Sequence, residues 1–188
     1  MNLCFDAVDL KVVHGAATEP AVTGIERPLD YANLLEQVGA VAGLFKGLGV
    51  EPETLIGLRV ADPMIELLSL LAGLRLGAGV VSLDGDRLGE HRPALVVTDV
   101  ELDFSTHEPQ AAVLIGLEPR EPVRDITWEM GLRAGSSQPA GCARVAEDQI
   151  AYVLDAPVAV GEAGTDRSRY GTWLQSLRDG VAIDLSER

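Results

Sequence analysis

Apolar residues recur along this chain with two different periods, and the order in which the periods alternate predicts its architecture. From Tyr31 to Leu48, the residues Leu34, Val38, Val41, Phe45 and Leu48 return every three or four positions. That spacing lines one face of an α-helix, and Gly49 follows as its stop. Leu55 to Val60 is an apolar run of strand length. Asp62 and Pro63 then supply an N-cap side chain and a residue whose fixed φ suits the first helical turn. The helix they start is predicted to reach about Leu76, with Leu67, Leu68, Leu70 and Leu71 on almost every side of it. Such a helix has to be packed all round. Gly77 ends it, and Gly79 to Leu83 reads as the next strand. Strand, helix and strand joined by short links predict a right-handed βαβ unit with parallel strands.

The flanking segments extend this pattern. Asn2 can cap a helix running to about His14, and Ala21–Thr23 and Pro28–Asp30 read as two short strands around a turn. Ala94–Thr98 and Ala111–Leu117 are continuous apolar runs, as expected of strands covered on both faces. A short helix is expected over Asp125–Ala134 and a last strand over Ile150–Leu154. Beyond Asp155 the pattern weakens. Ala156–Gly164 is small and flexible in character, and Arg167–Leu177 can form one amphipathic helix. On it Tyr170, Trp173, Leu174 and Leu177 fall at i, i+3, i+4 and i+7, a stripe able to lie back on its own sheet or to cross to a neighbour. The expectation is an α/β fold, a mostly parallel sheet with helices on both faces, formed by residues 1–154 and followed by a divergent tail over 155–188.

Composition narrows the setting. With 188 residues and 47% hydrophobic content the chain can bury one sizeable core. A formal net charge of −14 argues against nucleic acid, whose phosphates require clustered Lys and Arg, and against anionic membrane surfaces. The most apolar stretch, Met64–Leu83, is interrupted by Glu66 and Arg75 and punctuated by glycines, so it reads as a buried helix and strand rather than a membrane span. Met1–Leu10 carries Asp6 and Asp9 without a basic start, so no secretory leader is expected and the setting is cytoplasmic. Cys4 and Cys142 are too few for a disulfide framework and too far apart in sequence for a metal knuckle. They read as two reduced thiols.

No motif nominates a catalytic, cofactor-binding or metal-binding residue, and no cofactor is expected. Gly47 and Gly49 begin a glycine-rich fingerprint, but Pro52 takes the place of its third glycine. Gly135-Ser136-Ser137 follows a helix, not a strand, so it does not form a nucleophile elbow. His14, His91 and His107 are scattered without zinc spacing. Leu88 breaks the acidic series Asp84, Asp86 and Glu90, which reads as a solvated turn. Trp128 and Trp173 read as packing anchors.

Five stretches carry a resemblance: Asn2–Asp9, Pro28–Leu35, Leu48–Thr54, Asp62–Glu66 and Leu74–Gly79. In order and spacing they resemble the opening of acetyl- and propionyl-CoA synthetases, members of the adenylate-forming superfamily. In Leu48–Thr54, Glu53 and Thr54 stand where that family has Gly-Asp. After Leu83 the chain departs, with only Asp84–Arg92 before the next predicted strand. The resemblance implies a phosphate loop, Tyr-Thr-Ser-Gly-Thr-Thr-Gly-x-Pro-Lys-Gly, directly after Leu154. This chain instead reads Asp155-Ala156-Pro157-Val158-Ala159-Val160-Gly161-Glu162-Ala163-Gly164. The family's catalysis uses a lysine in that loop and another on a C-terminal domain. The only lysines here are Lys11 and Lys46, near the N-terminus. The resemblance places the adenine- and ribose-binding motifs beyond Arg188. The expected function is therefore a non-catalytic, synthetase-like domain that binds protein, either itself or a full-length synthetase. The alternative is half of a split ligase completed by another chain.

Overall fold

The computed structural model describes residues 1–84 and 87–186. Asn2 starts the first helix as expected, its side-chain oxygen accepting from Phe5 N at 3.0 Å. That helix widens into a π-helical stretch, Phe5–Asp9, before α1 (Leu10–Val13). The segment that follows forms a hairpin, β1 (Pro20–Thr23) and β2 (Leu29–Asp30), leading into α2 (Tyr31–Gly47). Asp30 caps α2, accepting from Asn33 N at 2.8 Å.

The predicted βαβ unit is present as β3 (Leu55–Arg59), α3 (Pro63–Leu76) and β4 (Gly79–Ser82), with β3 and β4 parallel. Asp62 accepts from Met64 N at 2.8 Å and Ile65 N at 3.3 Å, so its carboxylate satisfies two of the first-turn amides that have no helical partner. Gly77 closes α3 at φ 75°. Next come α4 (Leu88–His91), β5 (Leu95–Thr98), β6 (Ala111–Leu114), β7 (Asp125–Thr127) and α5 (Trp128–Ser137). The chain continues as β8 (Ile150–Val153), β9 (Pro157–Ala159), α6 (Arg169–Asp179) and β10 (Ile183–Asp184).

Seven strands form the main sheet in the order β7-β6-β5-β3-β4-β8-β9, every pair parallel except the β8–β9 hairpin. A second, three-stranded sheet runs β10-β1-β2. Register explains how the main sheet divides the core. Ile56, Val80, Leu95 and Ala111 stand in one row, and their face packs into the large cluster with α2, α3, α5 and α6. Gly57, Val81, Val96 and Ala112 stand in the next row and point the other way. There Val81, Leu83, Val96 and Val153 meet Leu88 of α4 and the loop residues Leu102 and Phe104. The first face carries the long helices, whereas a one-turn helix and a loop cover the second. Gly57 is required there, since a Cβ would stand 2.6 Å from Leu83 Cδ1 and 2.9 Å from Pro93 Cγ.

Three expectations are corrected. The helix expected over Asp125–Ala134 begins as a strand: Asp125–Thr127 adds an edge to the sheet, and Thr127 then caps α5. Three residues are too few to show a period, which is why the strand is silent in the sequence. Ala156–Gly164 is not featureless, since it contains β9. Within Asp84–Arg92, Leu88–His91 is helical rather than a plain turn, while Asp86 lies outside the described residues. The stripe on the last helix has its answer as well. Tyr170, Leu174 and Leu177 are buried in the chain's own core, and Tyr31 donates its hydroxyl to Leu177 O at 2.7 Å. Burial pushes the Tyr31 phenol up to about 12.

Two outcomes are expected from this packing. Leu71 is fully buried on α3, so Leu71→Ala should lower the unfolding free energy in urea by about 2–5 kcal/mol. Glu53 has φ 70°, a left-handed backbone that costs a residue with a Cβ about 1–2 kcal/mol. Glu53→Gly should therefore raise stability by up to about 1 kcal/mol, offset in part by the extra freedom of glycine in the unfolded chain.

Candidate functional site

In an open α/β sheet, ligands bind at the carboxyl ends of the strands, and the structure has two clefts there. The first, of about 410 Å³, lies past β3 and β4 and is walled by Glu66, Ser82, Asp84, Arg169, Trp173 and Asp184 among others. The second, of about 520 Å³, lies past β5 and β6 beside Phe104, Arg120, Arg124 and Asp125.

The first cleft contains a buried acid. Glu66 sits in the first turn of α3 and is only 6% exposed. Its Oε1 accepts from the Tyr170 hydroxyl at 2.7 Å and from the Arg169 guanidinium. Arg169 lies over two rings, 5.5 Å from the Tyr170 centroid and 5.4 Å from that of Trp173. Tyr152 meets Tyr170 edge-on at 5.5 Å and donates to Asp166 at 2.7 Å, and Ser168 also donates to Asp166. Burial raises the Glu66 carboxyl above its usual range, against the pull of Tyr170 and Arg169. Burial likewise pushes the Tyr170 phenol far up, helped by the charge of Glu66. Both donors to Glu66 come from α6, so the cluster is a latch holding α6 to α3. Glu66 is already committed to those two donors and is not a base open to substrate.

In the second cleft Arg120 pairs with Glu101 and Arg124 with Asp125. Arg124 donates to Asp125 at 2.7 Å, reaches Glu108 at 3.2 Å and stacks over Phe104 at 4.6 Å. Burial opposes ionisation of Asp125, but Arg124 and the amides of Glu121 and Arg120 outweigh it and hold the carboxyl below its usual range.

The residues weighed in the sequence do not converge on a site. Asp84 pairs with Arg59 at 2.6 Å and accepts from Ser82 at 2.8 Å, while Glu90 faces Arg87 at 3.7 Å. His107 bonds Pro93 O at 2.8 Å, His91 Nε2 stands 3.8 Å from Glu90, and His14 caps α1. Among the described residues no three of His, Cys, Asp or Glu are grouped to hold a metal ion. Ser136 and Ser137 finish α5. Trp128 is buried in the core, and Trp173 borders the first cleft. Lys11 and Lys46 lie on α1 and α2, outside the linings of both clefts. The two cysteines, by contrast, are brought together, which the linear spacing hid. The Glu66 latch was also missed. Its one signal in the sequence is an acid inside a helix otherwise apolar on all sides.

The segment after β8 bears directly on phosphate chemistry. Val153 pairs with Pro157 across the hairpin, so only Leu154, Asp155 and Ala156 make the turn. Asp155 and Ala156 are exposed, and Arg87 donates to Leu154 O. No lysine, hydroxyl or glycine stands in that turn.

Glu66→Gln should change the pH dependence of folding. A carboxyl whose folded pKa is raised favours the folded state at low pH, and that contribution is lost as pH rises from the ordinary 4.5 through the raised value. Stability of the wild type relative to Glu66→Gln, measured by urea unfolding at a series of pH values, should therefore fall as pH increases across that window.

No family model matches the chain, and no curated protein matches it in sequence. Its fold, however, is shared with solved ligases. Coronafacic acid ligase from Pectobacterium brasiliense superposes with a TM-score of 0.75 at 16% identity, over 97% of this chain and 45% of the ligase. The anthranilate CoA ligase AuaEII, solved with anthranoyl-AMP, superposes with a TM-score of 0.67 at 18% identity, over 84% of this chain and 32% of that one. The chain thus spans less than half the length of these ligases, and it shares its α/β architecture with the part of them that it covers. Among the described residues no helix is long and apolar enough to cross a membrane.

Proposed function

We propose that this chain is a non-catalytic, acyl-CoA-synthetase-like domain of the cytoplasm that acts by binding protein, either a second copy of itself or a full-length synthetase. The observation that carries this reading is the three-residue turn between Val153 and Pro157. A loop that grips polyphosphate needs backbone amides free to point at the anion, hydroxyls and a cation. This turn offers Asp155 instead. The nearby cleft is lined by Glu66, Asp84 and Asp184 and by Arg169, with Arg59 paired to Asp84. Each carboxylate about 4 Å from a phosphate oxygen costs on the order of 1 kcal/mol even in water.

The second reading is half of a split ligase, in which another chain supplies the phosphate loop and the lysines. It is favoured by one observation: nearly the whole chain superposes on less than half of the coronafacic acid ligase.

Pyrophosphate exchange separates the two. The isolated chain should give no exchange above background with a panel of short carboxylic acids, and acid-dependent exchange would sink the non-catalytic reading. Exchange that appears only when a second chain is added would establish the split ligase. Light scattering over a concentration series, with and without a synthetase, tests the binding role. A strictly monomeric chain that forms no complex would overturn it.

A further inference from the structure

At the edge of the sheet opposite the clefts, segments distant in sequence are clasped around the end of α3. Met1 N donates to Val145 O at 3.0 Å, and Val145 N donates back to Met1 O at 3.1 Å. The Asn2 side-chain amide donates to Leu74 O, Arg75 O and Ala143 O at 3.0, 3.1 and 2.8 Å. Ala143 N in turn donates to Arg75 O at 2.8 Å. With Met1 fixed to Val145 and Asn2 to Ala143, Cys4 and Cys142 are brought to the same Arg75–Asp9 ion pair, one sulfur on each member.

The surroundings differ for the two sulfurs. Cys4 is wholly buried, and Cys142 is half-buried. Arg75 Nη1 lies 3.8 Å from Cys4 Sγ and 2.7 Å from Asp9 Oδ2, and Cys142 Sγ lies 3.8 Å from that same carboxylate oxygen. Arg75 is itself pinned by its Nε on Ala140 O at 2.7 Å. A cleft of about 470 Å³ lined by Arg75, Ala140 and Gly141 opens next to Cys142 in the chain.

We propose that Cys4 and Cys142 form a reversible dithiol–disulfide site, oxidised by hydroperoxides, that closes this clasp covalently. The asymmetry of the pair sets the order of steps. The neighbouring Cys4 thiol and the Arg75 charge lower the Cys142 thiol, against burial and the Asp9 carboxylate. The Cys142 sulfur and burial hold Cys4 well above the usual range. Cys142, as thiolate, is therefore the nucleophile. Its sulfur attacks the terminal oxygen of the hydroperoxide: an S–O bond forms, the O–O bond breaks, and the alcohol leaves after taking up a proton. The Cys4 sulfur then attacks the sulfenic sulfur. The S–S bond forms, the S–O bond breaks, and water leaves with the proton of Cys4. The two thiols give up two electrons, and the hydroperoxide accepts them. This site is independent of the reading proposed for the turn after β8.

The test is titration of the full chain with hydrogen peroxide, followed by thiol counting, non-reducing peptide mapping and melting. Both thiols should disappear together, and the peptide of Cys4 should be joined to that of Cys142 within one chain. The melting temperature should rise by roughly 5 °C or more and return on adding dithiothreitol. In Cys4→Ser, dimedone should trap a sulfenic acid at Cys142, whereas in Cys142→Ser the buried Cys4 should stay unmodified. Oxidation of wild-type Cys142 to the sulfinic acid with Cys4 still free would overturn the proposal, as would a link formed only between chains. If either variant fails to fold, the wild-type peptide map decides alone.

Discussion

A helix buried on every side cannot leave a charge unpaired, and α3 carries two. Glu66 lies in its first turn and Arg75 in its last, so each sits at the end where the helix dipole favours its sign. The dipole alone does not offset their removal from water. Each charge also needs a partner that the helix cannot supply, and both partners come from far along the chain. Glu66 takes Arg169 and Tyr170 from α6, while Arg75 takes Asp9 from the N-terminal helix and Ala140 O from the loop after α5. For Arg75 and Asp9, both largely buried, removing one member costs about 3–5 kcal/mol, because the other is left charged in an apolar setting, whereas Arg169 is half-exposed and stays in reach of water. The helix at the centre of the βαβ unit therefore also dictates where both ends of the chain dock.

Coverage of the sheet follows a second constraint. Parallel strands need protection on both faces, and here the faces are protected unequally. The face of Ile56, Val80 and Leu95 receives the long helices. The face of Val81 and Val96 receives Leu88, Leu102 and Phe104 from short connections. Those connections succeed because strand side chains and their covers interlock closely, as the space above Gly57 shows. They also shape the carboxyl edge, since the same loops carry Asp84 and the residues around Phe104 that wall the two clefts.

Much of this was legible in the residues. The caps Asn2 and Asp62, the stop at Gly77 and the strands flanking α3 follow from local chemistry that acts within a few positions. β7 and β10 were not legible, because two or three residues carry no period and are held by strands distant in sequence. The destination of the Tyr170–Leu177 stripe was undecided for a related reason. Amphipathicity states that a face must be covered but not by what, and the answer lay in the buried acid of α3. The thiol pair was hidden in the same way. Sequence spacing limits metal knuckles, but it places no limit on two cysteines that a clasp of backbone hydrogen bonds brings together.

The turn after β8 shows how far the chemistry of a connection is independent of the strands that it joins. The sheet depends on Val80 pairing with Tyr152 and Val81 with Val153, on the buried faces of those strands, and on the hairpin partner that begins at Pro157. Asp155 and Ala156 are exposed and take no part in these contacts, while Leu154 packs against the core. Connections at the carboxyl edge lie outside the hydrogen-bonded ladder, so their length and chemistry can change while the register on either side is kept. A short turn even has an energetic advantage, because closing a short connection costs less chain entropy than closing a long one. Scaffold and chemistry are thus separate in this architecture. The leucines and valines that build the strands continue to specify the fold, whereas Leu154, Asp155 and Ala156 specify what its carboxyl edge can hold.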